Sequence, residues 1–185
     1  MSHYMTIGEP ITHEGSTLNR IMALRTFRCG DRIVRAGDKG GFIGTEAHLG
    51  GNAWIFDDAK VYGHASVTDN ASVSGTAEVC EFARITRHAR IKGNAMVAGT
   101  AWITDDAIID GEACAWDAAN VNGNAHVTDD AHVAGRCTIE SHALICGETE
   151  IIGDVRVSGD AVVDTYRSIN GQSVITGETV MLEEE

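Results

Sequence analysis

The stretch that decides the fold is GNAWIFDDAKVYGHASVTDNASVSGTAEVC (residues 51–80), which consists of five successive hexads. The pattern continues without an insertion to residue 182, so that residues 51–182 form 22 hexads. The fifth position of the hexad is Val or Ile in all but two hexads, and the third is Ala fourteen times in a row, from Ala53 to Ala131. A fixed short period of this kind indicates one supersecondary unit stacked on itself.

The hexad also predicts which side chains face inward. Its third and fifth positions lie two residues apart, so they point to the same side of an extended chain. Because these positions carry Ala and then Val or Ile, we expect them to form the interior. The first position is Gly or Asp in 18 hexads, and these residues tolerate the positive φ of a tight corner. A helix is excluded because a six-residue period does not match 3.6 residues per turn. The pattern therefore predicts an all-β fold, a β-solenoid of short parallel strands joined by tight corners.

The hexads resemble those of the hexapeptide-repeat left-handed β-helix, in which three hexads make one triangular coil. This resemblance implies a single-stranded left-handed parallel β-helix, and 22 hexads would make about seven coils. The segments TLNRIMALRTF (residues 17–27) and VRAGDKGGFIG (residues 34–44) resemble a group of bacterial and phage proteins close to the YdcK family. Some members of that group are labelled acyltransferases on account of their fold. The resemblance implies an architecture, and no catalytic motif of the group maps onto residues of this chain.

Two parts of the chain can be distinguished. Residues 1–39 lack the repeat, whereas the hexad register holds from Gly40 onward. Apolar and polar residues alternate in TLNRIMALRTF (residues 17–27) and in RIVRA (residues 32–36), on either side of the RCGD corner (residues 28–31). These two segments are therefore predicted to be the arms of a β-hairpin. An open solenoid needs its first coil covered, because bare strand edges pair with other chains. We therefore expect an N-terminal β-hairpin cap over residues 1–39 and a hexapeptide-repeat β-helix over residues 40–185. Arg167 stands in an inward position, so we expect the repeat to loosen near residues 165–170.

Composition argues against several classes of partner and site. The chain carries 27 Asp and Glu against 14 Lys and Arg, a formal net charge of −13. This charge argues against nucleic acid and anionic membranes as partners, because both would repel it. The five Cys have unrelated spacings, so neither a disulfide framework nor a metal site is expected. Since no signal peptide or long apolar run is present, we expect a cytoplasmic location, in a bacterium or a phage-infected cell.

The outward side chains stack in three columns if each coil has three hexads. One column is apolar at most levels and is interrupted by His126, and aligned exposed apolar residues predict an interface. The residues of this predicted oligomer interface are Ile108, Leu144, Val162, Val180 and Leu182. Because most soluble oligomers are symmetric, we expect a homo-oligomer, with a trimer favoured over a dimer. The other two columns look less suited to an interface.

Two classes of function remain open from the sequence. The favoured one is a rigid non-enzymatic β-solenoid, bacterial or phage-encoded, that needs no cofactor and serves as a protein-binding or structural module, since an unbroken solenoid presents surfaces. The alternative is implied by the resemblance: an acyl-CoA-dependent acyltransferase that uses acetyl-CoA and a His general base at a subunit interface. His126 is the candidate base because it lies in the apolar column, and Arg90 and Lys92 are candidate contacts for an anion. The repeat lacks the interrupting loop that such enzymes use to shape their sites, which favours the first class.

Overall fold

The structure is a computed structural model that describes residues 2–177 and 179–182, with side chains described for residues 2–177. These residues form 26 β-strands and no helix. Nothing helical in this part of the chain is therefore long and apolar enough to cross a membrane.

The strands differ in length along the chain. The N-terminal strands are β1 (Tyr4–His13), β2 (Ser16–Ala23), β3 (Phe27–Cys29), β4 (Arg32–Val34) and β5 (Lys39–Gly44). Short strands follow: β6 (His48–Leu49), β7 (Trp54–Ile55), β8 (Lys60–Val61), β9 (Ser66–Val67), β10 (Ser72–Val73), β11 (Glu78–Val79), β12 (Arg84–Ile85), β13 (Arg90–Ile91), β14 (Met96–Val97), β15 (Trp102–Ile103), β16 (Ile108–Ile109), β17 (Cys114–Ala115), β18 (Asn120–Val121), β19 (His126–Val127), β20 (His132–Gly135), β21 (Thr138–Ile139) and β22 (Leu144–Cys146). The last strands are β23 (Glu150–Ser158), β24 (Val162–Thr165), β25 (Ser168–Thr176) and β26 (Thr179–Leu182).

The short strands build a solenoid with three strands per turn. Each pairs in parallel with the strand three hexads further along, as Ser72 does with Arg90 and Arg90 with Ile108. The predicted all-β solenoid is therefore confirmed. Face 1 consists of the eight strands β7, β10, β13, β16, β19, β22, β24 and β26. Face 2 consists of β5, β8, β11, β14, β17, β20 and the start of β23, and face 3 of β6, β9, β12, β15, β18, β21 and the end of β23. Because β5 and β6 already lie in register, the stack has about eight turns rather than seven.

The interior is the one that the hexad predicts. Every third- and fifth-position side chain from Ala53 to Val163 is buried. Burial of each Val or Ile contributes about 1.5–3 kcal/mol, which makes the tube the main source of stability. The expected loosening is also seen, because Arg167 is exposed although it occupies an inward position. Thr165 is buried instead, and its backbone N–H donates to the hydroxyl of buried Thr149 at 2.9 Å.

The corners explain why acidic residues alternate with Gly at the first position. Both residue types have positive φ there, for example +56° at Asp57 and +74° at Gly75. The carboxylate of Asp57 accepts a hydrogen bond from the backbone N–H of Gly75 in the next turn, at 3.1 Å. The same contact joins Asp69 to Arg87, Glu81 to Gly99, Asp105 to Gly123, Asp117 to Gly135 and Asp129 to Gly147. These carboxylates therefore hold successive turns together.

The N-terminal segment adds two hairpins to the solenoid. Strands β1 and β2 are antiparallel, and β2 pairs antiparallel with β5, so the pair extends the sheet of face 2. Strands β3 and β4 form a small hairpin whose turn contains Gly30 and Asp31, where the sequence predicts it. The assignment of residues 17–27 to one arm of that hairpin is wrong: only Phe27 belongs to it, since β2 has other partners that provide its backbone hydrogen bonds.

This segment covers the first outward residues of face 1. The Trp54 side chain is only 1% exposed, and its ring lies 5.6 Å from the ring of Phe27. His3 Nε2 lies 2.9 Å from the carbonyl oxygen of Ala53, which ties the start of the chain to the same level. The guanidinium of Arg32 stacks 3.6 Å from the centre of the Phe56 ring. Trp54 and Phe56 thus belong to the core although they stand at outward hexad positions.

Candidate functional site

On face 1, the side chains of His126, Asp110 and Lys92 lie in contact with one another. His126 Nε2 lies 2.7 Å from one carboxylate oxygen of Asp110, and Lys92 Nζ lies 2.8 Å from the other. Burial alone would raise the pKa of Asp110, but hydrogen bonds from Lys92, Thr128 and His126 outweigh it and lower that pKa to about 2. Asp110 is therefore a carboxylate at neutral pH. Its contact with His126 Nε2 fixes the orientation of the imidazole ring.

The contact between His126 and Asp110 follows from the geometry of the solenoid. A sixth-position side chain lies near the fourth-position side chain of the same face in the next turn. The same offset joins Tyr62 to Glu78 and Glu140 to Arg156. A hydrogen-bonded pair at this offset is thus a regular feature of the outer faces. His126 and Lys92 are candidates from the sequence, whereas Asp110 is not among them, although this offset points to it.

A cleft opens between the tip of the β3–β4 hairpin and face 1. Its volume is about 510 Å³, which lies within the range of small-molecule sites. The basic residues Arg32, Arg90 and Lys92 line it, together with the hydroxyl groups of Ser72 and Ser74. Two carboxylates also line it, those of Asp31 and Asp106. The candidate anion contacts Arg90 and Lys92 therefore share one cleft, to which the hairpin adds a third cation that sequence reasoning missed.

Arg90 has an unusual environment within this cleft. Its Nε atom is buried and has no hydrogen-bond partner in the structure. Buried polar atoms almost always have a partner, because leaving a donor unsatisfied costs the full desolvation free energy of that group. The described residues thus supply no hydrogen-bond acceptor for the Nε–H group of Arg90.

The predicted apolar column of face 1 is present. Ile108, His126, Leu144 and Val162 are paired at successive levels, and all four are half-buried. In β26 the backbone pairs one residue out of hexad register, because Val180 lies opposite the inward Val163 and Leu182 opposite Thr165. Val180 and Leu182 therefore do not continue the register of Val162, and their side chains lie outside the described residues. The structure therefore brings together three of the five residues of the predicted interface, with His126 between them.

Face 2 carries a second apolar column, which the sequence did not favour as an interface. Its sixth-position residues are Tyr62, Cys80, Ala98, Trp116, Ala134 and Ile152. The first three are buried and form one cluster with Leu18 of β2. By contrast, Trp116 is 43% exposed and Ile152 is 39% exposed. The signal was readable at a spacing of three hexads, but only the structure shows which of these residues the N-terminal segment leaves uncovered.

Clusters of metal ligands are not found: among the described residues, no three His, Cys, Asp or Glu side chains are grouped so that they could hold a metal ion. The cysteine thiols of this part of the chain are free. Burial raises the pKa of Cys29 to about 11, so this thiol is protonated and unreactive at neutral pH.

Comparison with known proteins gives no family assignment. No protein-family model matches the chain. A search of curated proteins likewise gives no match.

Proposed function

We propose that this chain is a rigid β-solenoid that serves as a protein-binding or structural module and not as an enzyme. We further propose that it is a left-handed hexapeptide-repeat protein close to the YdcK group and that it acts in the cytoplasm of a bacterium or a phage-infected cell. The observation that carries the functional proposal is the exposure of apolar side chains aligned along face 2, most clearly Trp116 and Ile152. Aligned apolar residues that water can reach are typical of interaction surfaces.

Face 2 provides the argument for a protein partner. Where the N-terminal segment contributes Leu18, the column is buried at Tyr62 and Cys80. Two levels further along, Trp116 presents the same kind of surface without a cover. A partner that lays apolar side chains over Trp116 and Ile152 would continue the packing that the chain itself begins. Given the net charge of −13, a neutral or basic partner is favoured over an acidic one.

Substitutions on two faces test this assignment. Immobilised protein would be incubated with bacterial lysate, and retained proteins would be identified and quantified by mass spectrometry. We expect the parent to retain one protein in stoichiometric amount and the Trp116→Ser, Ile152→Ser variant to lose it. Trp102→Ser is the matched control, because Trp102 is 46% exposed but lies on face 3. Equal retention by the face 2 variant, or no stoichiometric protein on the parent, would contradict the proposal.

We also propose that face 1 joins copies of the chain, with a trimer favoured over a dimer. Ile108, Leu144 and Val162 supply the apolar contacts. Sedimentation velocity at micromolar concentration should show an oligomer for the parent and a monomer for Ile108→Lys, Val162→Lys. The control Asn120→Lys, Thr138→Lys adds the same charge at fourth positions of face 3 and should remain oligomeric. A monomeric parent would remove face 1 as an interface.

A second candidate function is acyl transfer from acetyl-CoA, favoured by the hydrogen bond between His126 and Asp110. His126 would remove a proton from the hydroxyl or amine of an acceptor as it attacks the thioester carbonyl. The acyl group would pass to the acceptor, and the thiol of coenzyme A would leave with a proton. Arg90 and Lys92 would contact the phosphates of coenzyme A. Calorimetric titration decides between the candidates: micromolar binding of acetyl-CoA that is lost in His126→Ala would replace the binding-module proposal.

A further inference from the structure

The cleft between the β3–β4 hairpin and face 1 is formed by contacts on both of its sides. On the hairpin, the Cys29 thiol donates to the carbonyl oxygen of Ala71 at 3.4 Å, and Phe27 packs on Trp54. Arg32 is held against the Phe56 ring, 3.6 Å from its centre. The other side consists of strands β10 and β13, which pair directly. A cleft whose sides are fixed in this way is preorganised, so little conformational entropy is lost when a ligand binds.

The charge of the cleft differs from that of the chain as a whole. Acidic residues outnumber Lys and Arg almost two to one in the sequence. In the cleft, the cations Arg32, Arg90 and Lys92 face two carboxylates, Asp31 and Asp106. Asp106 also lies 3.9 Å from His88 Nδ1, at the corner of the solenoid. The cleft is therefore less acidic than the chain as a whole.

The hydrogen-bonding groups of the cleft are mainly donors. Ser72 and Ser74 lie one level before Arg90 and Lys92, so two hydroxyl groups stand beside two cationic side chains. Lys92 is already paired with Asp110, whereas the buried Nε of Arg90 lacks an acceptor. Guanidinium groups bind phosphate oxygens with two parallel hydrogen bonds, and neighbouring hydroxyls donate to the remaining oxygens.

We propose that this cleft binds the phosphoryl group of a small phosphorylated metabolite, with Arg90 and Arg32 as its principal ligands. The phosphoryl oxygens contact the terminal nitrogens of the Arg90 and Arg32 guanidinium groups, and Ser72 and Ser74 donate to them. The rest of the molecule extends toward His88 and Asp106, whose polar groups suit a hydroxyl-bearing moiety such as a sugar. The proposal is independent of the protein-binding role, since the cleft lies on face 1 and the exposed Trp116 and Ile152 lie on face 2.

Nuclear magnetic resonance on the full chain tests the site, with inorganic phosphate, glucose 6-phosphate and glucose as probes at constant ionic strength. The Nε–H signal of Arg90 reports on the guanidinium group whose terminal nitrogens would bind the phosphoryl oxygens. We expect phosphate to shift this signal together with the backbone amides of Gly30 and Asp31, at concentrations of about 10 mM or below. Glucose 6-phosphate should bind at least about tenfold more tightly than phosphate, and glucose should leave the signals unchanged.

Variants on both sides of the cleft complete the test. Arg90→Gln and Arg32→Gln should each weaken glucose 6-phosphate binding about tenfold or more, because each removes a charge-assisted hydrogen bond. Arg84→Gln removes the same charge at the fourth position of face 3 and should bind like the parent. Melting curves would identify a variant that has lost its fold, in which case the remaining one decides. The proposal is overturned if phosphate leaves the Arg90 signal in place, if glucose 6-phosphate binds no more tightly than phosphate, or if Arg84→Gln weakens binding as much as Arg90→Gln.

Discussion

The first levels of the solenoid and the later ones are built from the same hexads, but their outward side chains differ in burial. On face 1, the fourth-position Trp54 is buried under the N-terminal segment, whereas on face 3 the fourth-position Trp102 is 46% exposed. On face 2, Tyr62 is buried and Trp116 is exposed, although both stand at the sixth position. The difference teaches that a hexad determines the direction of a side chain, while its burial on the outside depends on what the rest of the chain places over it.

The largest effect is expected from the same substitution made at two neighbouring residues, one inside the tube and one on its surface. Ala119 is fully buried in the tube, and Ala118 is exposed at the corner before it. Ala119→Asp would bury an unpaired charge and should abolish folding. Ala118→Asp should stay within about 0.5 kcal/mol of the parent, because it lies on the surface. Circular dichroism melting curves measure both variants. A folded Ala119→Asp would show that the tube is open to water.

The second prediction contrasts the two Trp residues at fourth positions. Trp54→Ala should lower the free energy of unfolding by about 3–5 kcal/mol, because it leaves a cavity beneath the N-terminal segment. Trp102→Ala should cost less than about 1.5 kcal/mol, since nearly half of its side chain is in water and it donates one hydrogen bond, to Thr86. Chemical denaturation followed by far-ultraviolet circular dichroism provides the comparison. Similar losses in the two variants would mean that the N-terminal segment does not stabilise the first level.

The third prediction concerns the carboxylate that fastens the N-terminal segment to face 2. The Glu78 carboxylate lies 2.9 Å from His13 Nε2 and accepts hydrogen bonds from Lys60 at 2.8 Å and Tyr62 at 2.9 Å. In Glu78→Gln, amide exchange in β1 should become roughly tenfold faster, because charge-assisted hydrogen bonds are lost. Exchange in β19 should not change. Glu140→Gln, which removes a carboxylate paired with Arg156 on face 3, is the control and should leave β1 protected.

The same carboxylate makes stability depend on pH. Burial would raise the pKa of Glu78, but its hydrogen bonds outweigh that effect and hold the pKa below its usual 4.5. As the pH falls, the unfolded chain therefore takes up a proton at this carboxyl group before the folded chain does. The stabilisation by Glu78 is present above pH 4.5 and is lost as the pH falls below it. Asp110, away from the N-terminal segment, should lose its contribution between pH 3.8 and about 2. Denaturation midpoints against pH should fall less steeply in Glu78→Gln below pH 4.5, and less steeply in Asp110→Asn only below pH 3.8.

The smallest expected effect contrasts two adjacent corner residues. Asp129 has positive φ and accepts a hydrogen bond from the backbone N–H of Gly147, whereas Asp130 is exposed at the second position. Asp129→Ala should cost about 1–2 kcal/mol, from the lost hydrogen bond and a conformation that Ala disfavours. Asp130→Ala should cost less than about 0.5 kcal/mol. Thermal unfolding would show the difference. Equal losses of stability in the two variants would mean that the carboxylate contacts do not stabilise the stacking of successive turns.

Much of the fold was predictable because the tube repeats one contact. Inward Ala and Val, positive φ at the corners and the turn of the β3–β4 hairpin all follow from residue types at fixed spacing. Asp110 could also have been found, since its offset from His126 recurs between Tyr62 and Glu78. The exposure of Trp116 and the contribution of Arg32 to the cleft could not be found in this way. Both depend on where the N-terminal segment lies.

The sequence by itself determined the stacked coil, its interior and its corners. Each residue of the repeat packs against the equivalent residue about three hexads away, so the same contact recurs at each level and the repeat predicts it. The tertiary structure alone decided which outward residues are core, which remain exposed, and that Arg32 joins Arg90 and Lys92 in one cleft. These features rest on contacts with no period, such as those of His3 with Ala53, His13 with Glu78 and Cys29 with Ala71. Such contacts are selected by packing in three dimensions, and no spacing in the sequence encodes them.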